Sequence, residues 1–225
     1  MVRRITSVTV NVDEWCLWVY NSEAALGGPS YRFRYMKYIR LRTTIDAPTP
    51  REGTTEYIKY GIGEGAEFQG IKYTDFSVPN EIKNLFWALI PAKERKHFHM
   101  SLMTINRAIL PHTDSDTKTA INWYIHEGGY ETYFCEPKHD AKPFKLPTQT
   151  DGCVYNFEDV TLMEGFSAKD GDIYVLDVTK THCVVPKAEM CTPRLALNMA
   201  TNLPFEDVVS LLGNQICTVE KNNTR

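Results

Sequence analysis

No stretch of 18 consecutive apolar residues occurs in the chain, so the sequence predicts no membrane-spanning helix. It also lacks any Cys-x-x-Cys pair. The six cysteines, Cys16, Cys135, Cys153, Cys183, Cys191 and Cys217, are scattered through 225 residues, which predicts reduced thiols rather than a disulfide or zinc framework. Charge of one sign is scarce: 25 Lys and Arg against 28 Asp and Glu leave a net charge of −3. That balance withholds the basic field of a dedicated nucleic-acid binder and disfavours such a partner. No repeat or low-complexity block is present. The opening MVRRITSVTVNVDEW has two arginines but no continuous apolar stretch, which predicts no signal peptide and a cytoplasmic protein. The Asn222-Asn223-Thr224 sequon is then a chance match.

What is present is ordinary globular composition, with 43% hydrophobic and 24% charged residues. A chain of this length buries roughly 70% of its unfolded surface, enough for a core without disulfides. Its length suits one elaborated domain over residues 1–225. From Tyr31 to Leu41 the odd positions are Tyr31, Phe33, Tyr35, Lys37, Ile39 and Leu41, apolar but for the lysine, while Arg32, Arg34, Arg40 and Arg42 take the even side. This period of two predicts a half-buried strand with a basic stripe, solvated or facing an anionic partner. Residues 46–54, with two prolines and a glycine, are a loop, and GIGEG at 61–65 is a turn rather than a dinucleotide fingerprint.

Asn80 is placed to cap a helix whose Ile82, Leu85, Phe86, Leu89 and Ile90 form one apolar stripe, ended by Pro91. A second short helix is predicted from Pro204 to Leu212, stopped by Gly213. Between them the expected strands are Phe98 to Leu110, Thr119 to Glu127, Tyr130 to Glu136, Gly152 to Met163, Asp172 to Val178, Cys183 to Val185 and Arg194 to Thr201. Gly128-Gly129 and Asp170-Gly171 are tight-turn signals. Short strands alternating with turns predict an antiparallel sandwich or barrel.

The stretch Asn106-Arg107-Ala108-Ile109-Leu110-Pro111-His112-Thr113-Asp114 carries the chemistry. An imidazole and a carboxylate two residues apart, where a strand runs into a polar loop, can turn toward one metal ion. His182, after the turn Thr179-Lys180-Thr181, would complete two histidines and one carboxylate. Such a set occupies one face of an octahedron and leaves three positions open, as in non-haem Fe(II) oxygenases. Arg194 follows twelve residues later at the head of RLALNMAT.

In their order and strand contexts, ILPHTD and GDIYVLDVTKTH among them, these residues resemble the Fe(II)- and 2-oxoglutarate-dependent oxygenases, and most of all their small aspartyl- or prolyl-hydroxylase-like members, including phage-encoded ones. The resemblance spans roughly residues 98–201. It implies a mainly β chain built on a double-stranded β-helix (jelly roll, cupin-like) with a few flanking α-helices. Residues 1–95 would then supply N-terminal strands and a supporting helix, 96–201 the catalytic jelly-roll core and 202–225 a C-terminal helix and tail. It implies that His112, Asp114 and His182 hold Fe(II), with 2-oxoglutarate as cosubstrate and O2 as oxidant, and that Arg194 grips the far carboxylate. A planar guanidinium suits this task because it donates two parallel hydrogen bonds and stays charged when buried. The presence of Asp114 favours hydroxylation, since halogenating members lack this carboxylate.

Asn122 and Tyr124 share one strand face and could contact 2-oxoglutarate, or serve as a satisfied core amide and a packing ring. Arg107 is the weaker competitor of Arg194, and Asp116 is a spare loop acid. His97 and His99 are core or edge residues, His126 and His139 are exposed, and Cys183 points away from the metal. The substrate is expected to be a small molecule or a peptidyl side chain. Two other readings stand beside the hydroxylase: a non-catalytic jelly-roll binding or structural protein of viral type, and a cupin-type metalloenzyme with another cosubstrate.

Overall fold

The computed structural model describes residues 36–42, 67–68, 71–74, 80–114, 117–144 and 152–213. The elements below lie in the compact unit that begins at Lys37. In chain order they are β1 (Tyr38–Arg40), β2 (Glu67–Phe68), β3 (Ile71–Thr74), α1 (Asn80–Trp87), β4 (Phe98–Ile105), β5 (Ile109–His112), β6 (Thr119–His126), β7 (Tyr130–Pro137), β8 (Val160–Phe166), β9 (Ile173–Asp177), β10 (His182–Pro186), β11 (Arg194–Thr201) and α2 (Phe205–Leu212).

Strand order identifies the architecture. A seven-stranded sheet runs β1-β9-β6-β11-β4-β3-β2 and a four-stranded sheet runs β5-β10-β7-β8, all pairs antiparallel. From β4 to β11 the chain alternates between the two sheets, except that β7 and β8 share one. This winding is a double-stranded β-helix, the jelly roll expected from the sequence, and β1, β2 and β3 widen its larger sheet. Period two then sorts the side chains. Met103, Ile105, Ala120, Tyr124, Phe134, Leu176, Val184 and Ala196 fill the space between the sheets.

The predicted strand Phe98 to Leu110 is two strands in different sheets. Thirteen residues exceed a typical strand, and the exposed pair Asn106 and Arg107 makes the corner where the chain changes sheet. Gly152 to Met163 also differs: its regular strand begins only at Val160, after a 3-10 turn at Phe157–Asp159, and runs on to Phe166. Strands β2 and β3 escaped the sequence reading altogether. Helix α1 has Asn80 as its first helical residue, and Phe86, Leu89 and Ile90 are buried, but Leu85 of the expected stripe is 40% exposed. After Trp87 the chain tightens, Leu89 N bonding Phe86 O and Ile90 N bonding Trp87 O, so the stripe does not continue at helical spacing. Helix α2 matches its prediction, burying Phe205, Val208, Val209 and Leu212.

In the basic stripe, Ile39 and Leu41 are buried and Arg40 and Arg42 exposed, as alternation requires, and Arg40 pairs with Asp172 at 2.5 Å. The rest of that strand, the loop at 46–54, GIGEG, Asp116 and the sequon fall outside the described residues. No helix among the described residues is long and apolar enough to cross a membrane.

Candidate metal centre

Strand β5 is an edge strand, so Pro111 within it forfeits no ladder bond on its free side, and its carbonyl instead accepts from Tyr155 N at 2.8 Å. His112 ends β5 and His182 begins β10, and the two are register partners with ring centroids 4.4 Å apart. Asp114 joins them because its backbone N–H bonds Val178 O at 3.0 Å, tying the loop after β5 to the turn before β10. That turn is itself fixed by Asp177, whose Oδ1 accepts from Thr179 N and Thr179 Oγ1 at 3.2 and 2.5 Å.

Ligand atoms of His112, Asp114 and His182 all lie within 4.8 Å of one another. His112 Nδ1 meets Leu110 O at 2.8 Å and His182 Nδ1 meets Lys180 O at 3.0 Å. A carbonyl only accepts, so both Nδ1 atoms carry the proton, and both Nε2 atoms turn toward Asp114 Oδ1 at 3.3 and 3.9 Å. Burial, reinforced by His112 and opposed by Asp114, pulls His182 down to about 4, so at neutral pH it is a lone-pair donor. Burial works to raise the Asp114 carboxyl, but the contact with His112 Nε2 and the positive charge that the His182 and His112 rings carry when protonated hold it below the ordinary carboxylate range. Converging acceptors repel unless a proton or a cation sits among them. The donor set, two imidazoles and one carboxylate, fits a divalent transition metal.

This electrostatic arrangement has a pH signature. In metal-stripped protein the unfolded chain protonates His182 near its ordinary value, while the native state resists until about pH 4. The unfolded state therefore binds more protons in that window, and stability should fall by a few kcal/mol as pH drops from about 6.5 to 4. Urea midpoints across that range check this, and a His182→Gln variant should show a flatter profile.

The triad opens on a narrow cavity of about 40 Å³ whose far wall carries Arg194. Arg194 is 1% exposed. Its Nε donates to Glu127 O at 3.3 Å, one terminal nitrogen to Thr132 Oγ1 at 2.9 Å and the other to Tyr130 O at 2.6 Å. The guanidinium also lies over the Tyr124 and Tyr130 rings, 5.0 and 5.7 Å from their centroids. No carboxylate among the described residues pairs with it, and burial lowers its pKa, a direction that a bound anion would reverse. One N–H on each terminal nitrogen remains for a ligand. The hairpin at Gly128-Gly129 thus does more than reverse the chain, because the carbonyls on either side of it hold the guanidinium. Gly128 has φ +69°, and a Cβ there would lie 2.5 Å from Thr192 O and 2.6 Å from Arg194 N, so only glycine lets the turn pack on the root of β11.

No protein-family model matches the sequence, and no curated protein is similar to it. Among solved structures, one similar fold is HygX from Streptomyces hygroscopicus with nickel and 2-oxoglutarate bound, at 12% identity and a TM-score of 0.43 over 76% of this chain and 84% of that one. Another is SnoN, a non-heme alpha-ketoglutarate-dependent epimerase from nogalamycin biosynthesis, at 12% identity and a TM-score of 0.44 over 86% and 92%. A third is vicilin from hazelnut, Corylus avellana, at 12% and 0.30; the match takes in 49% of this chain and 26% of the vicilin chain. Likenesses this distant leave the chemistry to be read from the chain's own residues.

Of the other sequence candidates, Asn122 and Tyr124 both line the cavity. Arg107 is exposed at the β4–β5 corner and is not among the lining residues. His97 and His99 face outward, and His139 is exposed. His126 is only half-exposed, bonded to Thr192 Oγ1 at 2.8 Å with Asp170 at 3.5 Å. Cys183 is fully buried on the opposite strand face from His182, its Sγ 3.5 Å from that of Cys135, and both are free thiols as expected. Sequence reading missed Thr132 and Asn198. Each is a polar residue flanked by apolar or aromatic ones in its inward row, Tyr130-Thr132-Phe134 and Ala196-Asn198-Ala200, and that was the available signal.

Proposed function

We propose that the chain is an Fe(II)- and 2-oxoglutarate-dependent dioxygenase that hydroxylates a C–H bond of an amino-acid or peptidyl side chain, releasing succinate and CO2. One observation carries the reading: three convergent metal-ligand atoms share a single cavity with a buried guanidinium that has no anionic partner among the described residues. A metal site alone would suit many cupin-type reactions. A metal site facing an uncompensated buried cation asks for a ligand that chelates at one end and carries a carboxylate at the other.

His112 and His182 would bind iron through Nε2, their Nδ1 protons held by Leu110 O and Lys180 O so that the lone pairs cannot turn away. Asp114 would supply the one negative charge of the set. Iron held by these three side chains would supply the activation of O2, coupled to decarboxylation of the 2-oxo acid. Arg194 would hold the far carboxylate with its two remaining N–H groups, fixing the direction in which the cosubstrate enters. Asn122 and Tyr124 lie on the wall between, while Met103, Ile105, Leu176, Val178 and Val184 limit water in the chamber.

Purified protein given Fe(II), 2-oxoglutarate and O2 should release succinate slowly without a prime substrate, and faster with the correct amino acid or peptide. A screen across amino acids, peptides and nucleosides by succinate release tests both the reaction and the substrate class. No succinate above the metal-only background under any condition would sink the reading.

A further inference from the structure

Asn198 on β11 and Asn122 on β6 are register partners, both facing the cavity and both buried, at 6% and 5% exposure. Asn198 Nδ2 donates to Asn122 Oδ1 at 2.7 Å. That bond satisfies one atom of each amide, and among the described residues neither Asn122 Nδ2 nor Asn198 Oδ1 has a protein partner. Neither is sealed in the packing, since the one fully buried, unpartnered side-chain polar atom among the described residues is Thr104 Oγ1. Both atoms therefore open on the cavity. Buried amides are rarely left half-bonded, and open valences on a cavity wall point to a ligand.

Register places the pair. Asn198 follows Arg194 by four residues on the same inward face, about 13 Å of strand. The direction is toward the triad, because Thr201 at the end of β11 pairs with Thr119, Thr119 pairs with Asp177, and Val178 next to it bonds Asp114. The amides thus stand at the metal end of the chamber and Arg194 at the other.

We infer that Asn122 donates a hydrogen bond to the metal-chelating carboxylate of the 2-oxo acid, and that Asn198 is its positioning residue, holding the Asn122 carbonyl so that the amide N–H faces the ligand. This rests on the functional reading above and divides the ligand between two readers: the Asn pair takes the chelating head and Arg194 the distant carboxylate.

Oxalate separates them, since it chelates a metal but is too short to reach Arg194. Water-proton relaxation of the Mn(II)-loaded protein reports Mn(II) binding and its displacement of water by oxalate or 2-oxoglutarate, with no turnover needed. Asn122→Leu should weaken both anions about tenfold with Mn(II) affinity unchanged. Asn198→Leu should weaken both by a smaller factor, and the double variant should be no worse than Asn122→Leu alone. Arg194→Ala should weaken 2-oxoglutarate and leave oxalate unaffected. If leucine disturbs folding, seen as lost Mn(II) binding, Asn122→Ser and Asn198→Ser give the same comparison at smaller volume. Unchanged oxalate affinity in the Asn122 variants overturns the inference, and additive losses overturn the positioning role of Asn198. Unsubstituted protein that binds oxalate but not 2-oxoglutarate overturns the proposed cosubstrate and leaves the Asn pair testable on oxalate.

Discussion

Asp114→Ala should remove succinate release to below detection and weaken Mn(II) or Fe(II) binding by more than about 100-fold. The loss should be that large because Asp114 is the one charged member of the donor set, and replacing even an outer-shell partner of a metal ligand costs roughly 10–100-fold. Folding should survive, since the carboxylate is 30% exposed and the loop is tied to Val178 by its backbone rather than by its side chain. In the metal-stripped state the carboxylate's own contribution is present above the ordinary Asp value, so it should separate variant from parent only below about pH 4. Asp114 sits below the ordinary carboxylate range, so it contributes stability that disappears as pH falls through its lowered value. Isothermal titration with Mn(II), alongside urea midpoints at about pH 7 and about pH 3, measures both effects. Metal affinity within a few-fold of the parent would contradict the role assigned to this side chain.

Arg194→Ala should raise the KM for 2-oxoglutarate on the order of 100- to 1,000-fold, as expected when one member of a buried charged pair is truncated. It also carries a structural cost. Glu127 O, Tyr130 O and Thr132 Oγ1 each lose a donor, and the space left beneath the Tyr124 and Tyr130 rings is a cavity, so about 2–4 kcal/mol of stability should go with it. Arg194→Lys discriminates the two contributions. A lysine keeps the charge and most of the packing but cannot satisfy two carbonyls, a hydroxyl and a carboxylate together. Its stability should recover in part while its KM stays high. A KM that follows stability across both variants would mean that Arg194 holds the hairpin and nothing else.

The grouping of the four candidate residues is legible in the sequence because they sit at or beside strand ends, where alternation and turn signals are strongest. His112 and Asp114 follow an edge strand marked by Pro111, and His182 and Arg194 begin strands after recognisable turns. The sheet-changing corner at Asn106 and Arg107 was not legible, since an unbroken apolar run looks the same whether it stays in one sheet or crosses to another. Nor was the cradle of Arg194, which is made largely of the backbone carbonyls Glu127 O and Tyr130 O, and main-chain groups leave no trace in a side-chain pattern. Strand β3, of four residues, is held by pairing to β4, and β2, of two residues, by pairing to β3, rather than by a pattern of their own. Thr132 and Asn198 are visible as polar residues in buried rows, but a lone Thr or Asn on an inward strand face is equally a hydrogen-bonded core residue, so the pattern alone does not mark them.

One cavity should bind a metal at His112, Asp114 and His182 and the far carboxylate of 2-oxoglutarate at Arg194. Crystals soaked with Mn(II) and 2-oxoglutarate test it directly through anomalous scattering at the manganese edge. The expected result is a single anomalous peak bonded to Nε2 of His112, Nε2 of His182 and the carboxylate of Asp114, with continuous density from it to a bidentate contact on Arg194. Manganese absent from those three atoms at saturating concentration, or 2-oxoglutarate bound away from Arg194, would contradict it.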